Sequence, residues 1–541
     1  MSKKNDNTLV KNASFLMVAA LISKIIGMLY KSPLSATLGG NGFAYFQFAQ
    51  NAYFILLMIA SFSIPQAVSK IMAEKIAFKR YRDAQRVFYC ALIYAVVFGG
   101  AVALFCLFGT SLLVPDSMAG ARLALKMLAP TIFLSGILGV FRGYFQAYRN
   151  MMPTSFSQII EQIFVAVMAL LMSNVFIDMH AGQAKETINT WGAAGATLGT
   201  GAGVLSALIF MLLVYFVNRK NIRRRIENDT VSVSEDYVSL IKNIVLIIMP
   251  IILSAFVYNV NGYINSYLYT GILGWRGFDT KLLEINYAEY GYFATLINIP
   301  LTLASTAPTS MIPEVSACYA KNDIEGANGK IDRAVWLSMF ISIPASIGLA
   351  VLSEPITRVI FGGTNGVAGH LLILGAITVI LNGNSNISNG VLQGIGKPRI
   401  PMVHAAIALV ADLVVMAVLM LVTDVGIYGV VIAMIVYAVI VCVLNDRSMK
   451  KYMGYKNPWR SAYLYPLLAC IPMSLVAGVV YYGFYALISS TLISLGIAVV
   501  MAVATYLVVY LLVSKPTQEE MYAMPFGRTL YRLANKAGLV K

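Results

Sequence analysis

The chain is poor in charge. Only 12 % of its 541 residues are Asp, Glu, Lys or Arg, whereas a water-soluble domain carries about a quarter. It holds three histidines, and five cysteines at positions 90, 106, 318, 442 and 470 without metal-ligand spacing; these read as small apolar residues, which argues against a zinc site and a disulfide framework. A phosphate loop of the G-x-x-x-x-G-K-[ST] type, a nucleophile elbow and a His/Asp/Glu metal cluster are all missing. No enzyme signal remains, and no cofactor or metal is expected.

What the chain has is apolar length. Hydrophobic residues make up 59 % and the mean hydropathy is +0.74. Windows of 18 or more apolar residues recur from end to end, which predicts an all-α polytopic membrane protein, because only helices or closed barrels satisfy the backbone in lipid and these runs are too long for barrel strands. Spans are expected near 12–38, 43–66, 87–114, 125–149, 155–177, 192–217, 240–270, 290–313, 332–353, 366–390, 400–421, 426–445, 461–483 and 487–513, fourteen in all. The first follows no cleavage signal and is expected to stay.

Alternate connections and tails hold 32 of the 40 Lys and Arg residues and the opposite set six, with Lys24 and Lys31 inside the first span. This bias places both termini in the cytoplasm. It also explains the net charge of +16 without a nucleic-acid partner: basic stretches such as Arg219 to Arg225 suit anionic membrane lipids.

Two halves repeat. SIPQAVS (Ser63 to Ser69) resembles MIPEVSA (Met311 to Ala317), and GYFQAYRNMMP (Gly143 to Pro153) resembles GVLQGIGKPRIP (Gly390 to Pro401); the paired prolines Pro65/Pro313 and Pro153/Pro401 each lie 248 residues apart. Six spans per half return the second half in the same orientation, so the pseudo-two-fold axis runs along the membrane normal. The expected organisation is a six-helix bundle over 1–230, a second over 231–450, and two further helices with a tail over 451–541.

Polar residues that interrupt apolar runs are the candidate site. A lysine inside a span is costly, so Lys24 should face protein or a water-filled cavity, while Lys31 either joins it or snorkels to the surface. Gln50 and Asn51 in the second span suit either a cavity or interhelical hydrogen bonds. Arg142 and Glu161 should pair across two cytoplasmic helix ends, as a structural clasp or as an inner gate, and Glu314 is a third gate candidate. Asn261 and Asn265 in the seventh span define one face, to be offered to substrate or to packing; Asn386, among the asparagines around Gly383 in the tenth, belongs to a local unwinding or a packed polar seam. Thr302, Ser305, Thr306, Pro308, Thr309 and Pro313 predict a bent eighth span. Asp412 is the best single coupling site, or else a buried acid. Thr270 to Gly291 reads as an outer connection with a short interfacial helix.

The blocks SKIIGMLYKSPLSATLGGNGFAYFQFAQNAY (Ser23 to Tyr53), SIPQAVSK (Ser63 to Lys70), FRGYFQAYRNMMPTSFSQIIEQ (Phe141 to Gln162) and LNGNSNISNGVLQGIGKPRIP (Leu381 to Pro401) resemble the polysaccharide-biosynthesis and flippase branch of the multidrug/oligosaccharidyl-lipid/polysaccharide exporter superfamily, and within it the MurJ and stage V sporulation protein B-like group. The resemblance implies alternating-access export of an undecaprenyl-pyrophosphate-linked saccharide, lipid II for the peptidoglycan flippases, and association with cell-wall synthesis proteins. It also implies a cationic central cavity for the pyrophosphate and a groove for the lipid tail made by the last two helices. Lys24 stands where these proteins place an arginine in S-R-x-x-G; their next first-helix arginine aligns near Tyr30, beside Lys31, and their second-span arginine has no cationic counterpart, since Ile55 and Leu56 occupy that region. The rival is a cation-coupled multidrug exporter, for which an acidic cavity is expected where this chain has lysine.

Overall fold

The computed structural model describes residues 22–148, 150–233, 236–362 and 366–516, with Ala19, Met521, Tyr531 and Arg532; the side chains at 247, 250, 251, 254, 305–310 and 313 are not among those described. Of the polar residues expected to bend the eighth span, all but Thr302 therefore lie outside the described side chains. The chain is helical nearly throughout, as lipid requires of a backbone that must satisfy its own hydrogen bonds. Ten helical stretches among the described residues are long and apolar enough to cross a membrane, or eleven when Val367–Gly375 and Ile377–Gly394, bent by 45°, count as one.

Two compact units divide the chain, Met1–Ala288 and Glu289–Lys541. In the first, residues 22–29 are helical and lead into α1 (Lys31–Leu57). Gly39 interrupts α1 at φ 65° and ψ 179°, a conformation open almost only to glycine, so the run turns where the first and second expected spans meet. A π-helical turn (Met58–Phe62) joins α1 to α2 (Ile64–Ala77), and α3 (Tyr81–Phe108), α4 (Ala121–Ala147), α5 (Met152–Met179), α6 (Lys185–Val217) and the short basic α7 (Arg219–Glu227) follow.

Glycines let α5 and α6 meet closely. Gly195, Gly199 and Gly203 recur every fourth residue along α6, and a methyl group added at Gly199 would lie 2.3 Å from the backbone nitrogen of Ala169 on α5. Small residues at this spacing let two backbones meet where lipid supplies no hydrophobic drive. At the other end of the unit Phe88 packs edge-on against Phe141 and Tyr144 and stacks on Tyr215, joining α3, α4 and α6. Leu240, Ile244, Ile248 and Ile252 of α8 (Tyr237–Trp275) complete this core, so α8 belongs to the first unit.

The connection over residues 270–291 differs from its expected form. α8 runs to Trp275 and α9 (Thr280–Ala320) starts five residues later, leaving a short turn in place of a separate interfacial helix. Leu283, Glu284 and Tyr287 are buried, so one face of this charged stretch is anchored in protein and continues the helix. The boundary between the two units falls inside α9.

The second unit contains α10 (Ile324–Val351), α11 (Ser353–Phe361), α12 (Val367–Gly375), α13 (Ile377–Gly394), α14 (Arg399–Val422), α15 (Ile427–Met453), α16 (Tyr465–Ile488) and α17 (Thr491–Ser514). Tyr81, Ala121, Met152 and Lys185 open helices in one half; Ile324, Val367, Arg399 and Ile427 open them in the same order in the other, close to the offset of the proline motifs. The tenth span bends at Ala376, where Ser346 donates to the carbonyl oxygen at 2.8 Å, while Gly383 remains helical. The local unwinding considered at Gly383 is thus replaced by a packed seam, because Ser338 and Ser342 of α10 fill the space against that glycine. The last two helices share the core of this unit: Trp336 Nε1 donates to the Tyr510 hydroxyl at 2.7 Å, and the Tyr506 hydroxyl to the Phe340 carbonyl at 2.9 Å.

Candidate functional site

Lys24 is exposed on the 22–29 helical segment, between Ile22 and Ile25, which are themselves more than a third exposed; Lys31 opens α1 and is half-buried. An ammonium within an apolar stretch calls for an aqueous or anionic surrounding. These two residues are the cationic part of the candidate site.

A polar seam runs along α1 where it meets α8 and the start of α9. At one end Asn41 and Tyr45 both donate to the buried Glu284 carboxylate, the tyrosine at 2.7 Å. Farther along, Asn51 Nδ2 donates to the Tyr287 hydroxyl at 2.8 Å, which donates to Ser266 Oγ at 3.0 Å, while Gln50 Nε2 donates to Thr200 Oγ1 on α6 at 2.8 Å. Gln50 and Asn51 therefore take the interhelical role in this conformation. Asn265 is wholly enclosed by protein and Asn261 is half-buried; Tyr263 donates to the Leu113 carbonyl at 2.7 Å.

Arg142 and Glu161 meet. Nη2 lies 2.6 Å from Oε2, both side chains are at most one-fifth exposed, and Arg142 Nε donates to Ser157 Oγ at 3.0 Å. Glu314 pairs instead with Lys330 at 2.7 Å in an open setting, where an ion pair contributes little. In the second unit Asn386 is exposed, whereas its neighbour Asn384 is buried, contacting Cys442 Sγ at 3.1 Å and accepting from Tyr463 at 3.1 Å. Asn445 links Asn389 and His404 in the same seam. Asp412 is fully buried on α14, within electrostatic reach of the Tyr437 hydroxyl.

Sequence reasoning missed Asn41, Tyr45, Glu284 and Tyr287. The available signal was spacing: Asn41 and Tyr45 lie one helical turn apart, as do Glu284 and Tyr287, so each pair shares a face. Among the described residues no group of three His, Cys, Asp or Glu side chains is arranged to hold a metal ion.

The comparisons with known proteins agree with this architecture. The polysaccharide biosynthesis protein family model matches residues 9–318, and the MatE model matches 285–418. The chain is 23 % identical over 421 residues to the lipid II flippase MurJ of Bacillus subtilis (strain 168), covering 75 % of this chain and 76 % of that protein. It is 22 % identical over 456 residues to stage V sporulation protein B of the same organism, covering 82 % and 84 %. Among solved structures, a lipid II flippase MurJ in an inward closed conformation superposes with a TM-score of 0.65 at 16 % identity, over 91 % of this chain and 97 % of that one. An inward-facing multidrug resistance MATE family transporter gives 0.58 at 15 % identity, over 81 % and 95 %. This chain belongs to the polysaccharide biosynthesis protein family, in the flippase, MATE and MurJ-like branch of the multidrug/oligosaccharidyl-lipid/polysaccharide superfamily, a group of multi-pass membrane transporters and not of enzymes.

Proposed function

We propose that the protein is a flippase that carries an undecaprenyl-pyrophosphate-linked saccharide, lipid II in the first instance, from the inner to the outer leaflet of a bacterial cell membrane by alternating access. The supporting observation is Lys24, exposed within the apolar 22–29 segment of a chain whose relatives include a lipid II flippase. An ammonium in that setting suits a lipid-borne pyrophosphate, whereas an exporter of organic cations needs carboxylate there. Relocation makes no bond, so no catalytic residue is required.

In this reading the chain crosses the membrane fourteen times: the two arms of the Gly39 turn count separately, the bent tenth span counts once, and α8 and α9 add two. Both termini are cytoplasmic, and the sequence halves meet near residue 230 with 451–541 added after them. Lys24, Lys31 and Asn261 meet the substrate, Asn265, Gln50, Asn51 and Asn386 do so in another conformation, the Arg142–Glu161 and Glu314–Lys330 pairs act as gates, and Asp412 serves coupling. The apolar hollow between α10 and α16, lined by Ile347, Leu467, Leu468, Cys470, Ile471 and Ser474, suits the polyprenyl tail. Another polyprenyl-linked precursor is the second reading, favoured by the absence of a cation at Ile55 and Leu56.

Complementation of a flippase-depleted strain, with membrane abundance quantified, tests this. K24R is expected to support growth, K24A and K24E to fail at normal abundance, and K31A to be partly impaired. Full activity of K24A at normal abundance removes Lys24 from the mechanism; reduced abundance alone makes it structural.

A further inference from the structure

The basic end of the first unit holds a feature the transport reading does not use. Asn218, at the start of α7, and Asn221, Ile222 and Arg225 within it lie along one stripe, at the spacing of a single helical face. That stripe looks across a cavity of about 170 Å³ at Tyr144, Phe145 and Tyr148 on the end of α4, with Asn150 at its edge. We propose that this cavity binds the phosphoglycerol head group of an anionic phospholipid.

Each part of the head group has a match. The Arg225 guanidinium lies over the Tyr148 ring, 5.1 Å from its centroid; stacking of this kind occupies the face of the group and leaves its in-plane N–H donors for an anion. Tyr144 is almost wholly buried behind the cavity wall, and its ring packs on Tyr148 with the centroids 5.1 Å apart, which fixes the ring that Arg225 covers. Asn218 spends its Nδ2 on the Val214 carbonyl at 2.8 Å, so its Oδ1 remains to accept from a glycerol hydroxyl. Among the described residues no carboxylate lines the cavity, which argues against a cation as occupant. The other side of α7 exposes Arg219, Lys220 and Arg224, and Arg223 is paired with Glu227 at 2.7 Å. Those cations raise the local concentration of anionic lipid. The cavity face then selects a head group by shape and hydrogen bonding.

The decisive contrast is between two neighbouring arginines. R224A and R225A remove the same charge from the same helix, but only Arg225 lines the cavity. The full chain, purified and delipidated in a zwitterionic detergent, is titrated with dioleoyl phosphatidylglycerol and separately with dioleoyl phosphatidylcholine at about 0.15 M salt, where diffuse attraction is screened beyond about 8 Å. Bound lipid is counted by native mass spectrometry on the monodisperse fraction only. One phosphatidylglycerol is expected to bind in preference to phosphatidylcholine. R225A should weaken it about tenfold, as loss of a charge-assisted hydrogen bond does, and R224A less than about twofold. Y148L removes the ring that Arg225 covers and keeps an apolar side chain there, so it should weaken binding about threefold or more while leaving the protein folded. Equal losses in R224A and R225A, an unaltered Y148L, or no preference over phosphatidylcholine would overturn the site. Displacement of the bound lipid by equimolar free glycerol phosphate would reassign it to a soluble phosphate ester and overturn the lipid assignment.

Discussion

At the scale of single residues, the Arg142–Glu161 contact shows how charge is tolerated beside apolar helices. Two groups at most one-fifth exposed are each costly alone and acceptable together, and Ser157 takes a further donor of the guanidinium. Removing one partner strands the other at a cost of about 2 kcal/mol or more. R142A and E161A are therefore expected to lower the yield of monodisperse protein, and the double variant R142A/E161A to recover part of it. The exchange R142E/E161R separates clasp from gate: recovery of both yield and growth in the depleted strain marks a clasp, and recovery of yield alone marks a contact that the transport cycle needs in one polarity.

At the scale of elements, the α5–α6 pair depends on glycine and the loop before α8 on one carboxylate. Gly199 faces the Ala169 backbone so closely that any side chain must push α5 and α6 apart. G199V should cost about 2 kcal/mol or more, by overpacking an interface that cannot relax, and lower the melting temperature, whereas Gly262, with open space around it, should accept alanine with little change. Asp229 holds the 228–233 segment against the start of α3. It accepts from the backbone N–H groups of Arg82, Val231 and Ser232 and from the Ser232 hydroxyl. Burial raises its carboxyl, but these four donors prevail and hold it down to about 2. A carboxyl depressed below its unfolded value of about 3.9 contributes stability that is full above that pH and is lost as pH falls through the folded value. D229N should therefore destabilise the protein at pH 7 and flatten the loss of melting temperature between about pH 4 and 2; an unchanged acid limb would show that other carboxylates govern it.

At the scale of the whole molecule, the last two helices are part of the second unit's core and not an appendage. Tyr506 and Tyr510 of α17 bond to α10, and Cys470, Met473 and Ala477 of α16 are buried with them. Removing residues from 461 onward would uncover that core and unfold the unit, so such a truncation tests stability more than the tail groove. A substitution within the hollow is cleaner. Ile471 is largely exposed on its wall, so I471W should fold and fill it. The expected outcome is loss of transport for a long polyprenyl substrate with near-normal transport of a short-chain analogue in reconstituted vesicles. Equal transport of both would remove the hollow from the tail path.

Much of the architecture was legible in the sequence because a helix in lipid satisfies its backbone within itself, so run length and composition nearly suffice to locate it. The expected spans 155–177 and 400–421 fall within Met152–Met179 and Arg399–Val422, and 487–513 coincides with Thr491–Ser514 except for its first four residues. The Arg142–Glu161 contact was legible too, because two lone charges on neighbouring helix ends have few other means of relief. Whether a polar side chain meets a cavity or another helix depends on partners far along the chain, which no local pattern names. Glu284 read as part of an exposed charged connection; it is buried because Asn41 and Tyr45, more than two hundred residues away, meet its carboxylate. The bend at Ala376 likewise waits on Ser346 from another helix to satisfy its carbonyl. Periodicity and charge determined which segments enter the membrane, and only tertiary packing decided which of their polar groups face each other, because hydrogen bonds within a helix are local and those between helices are not.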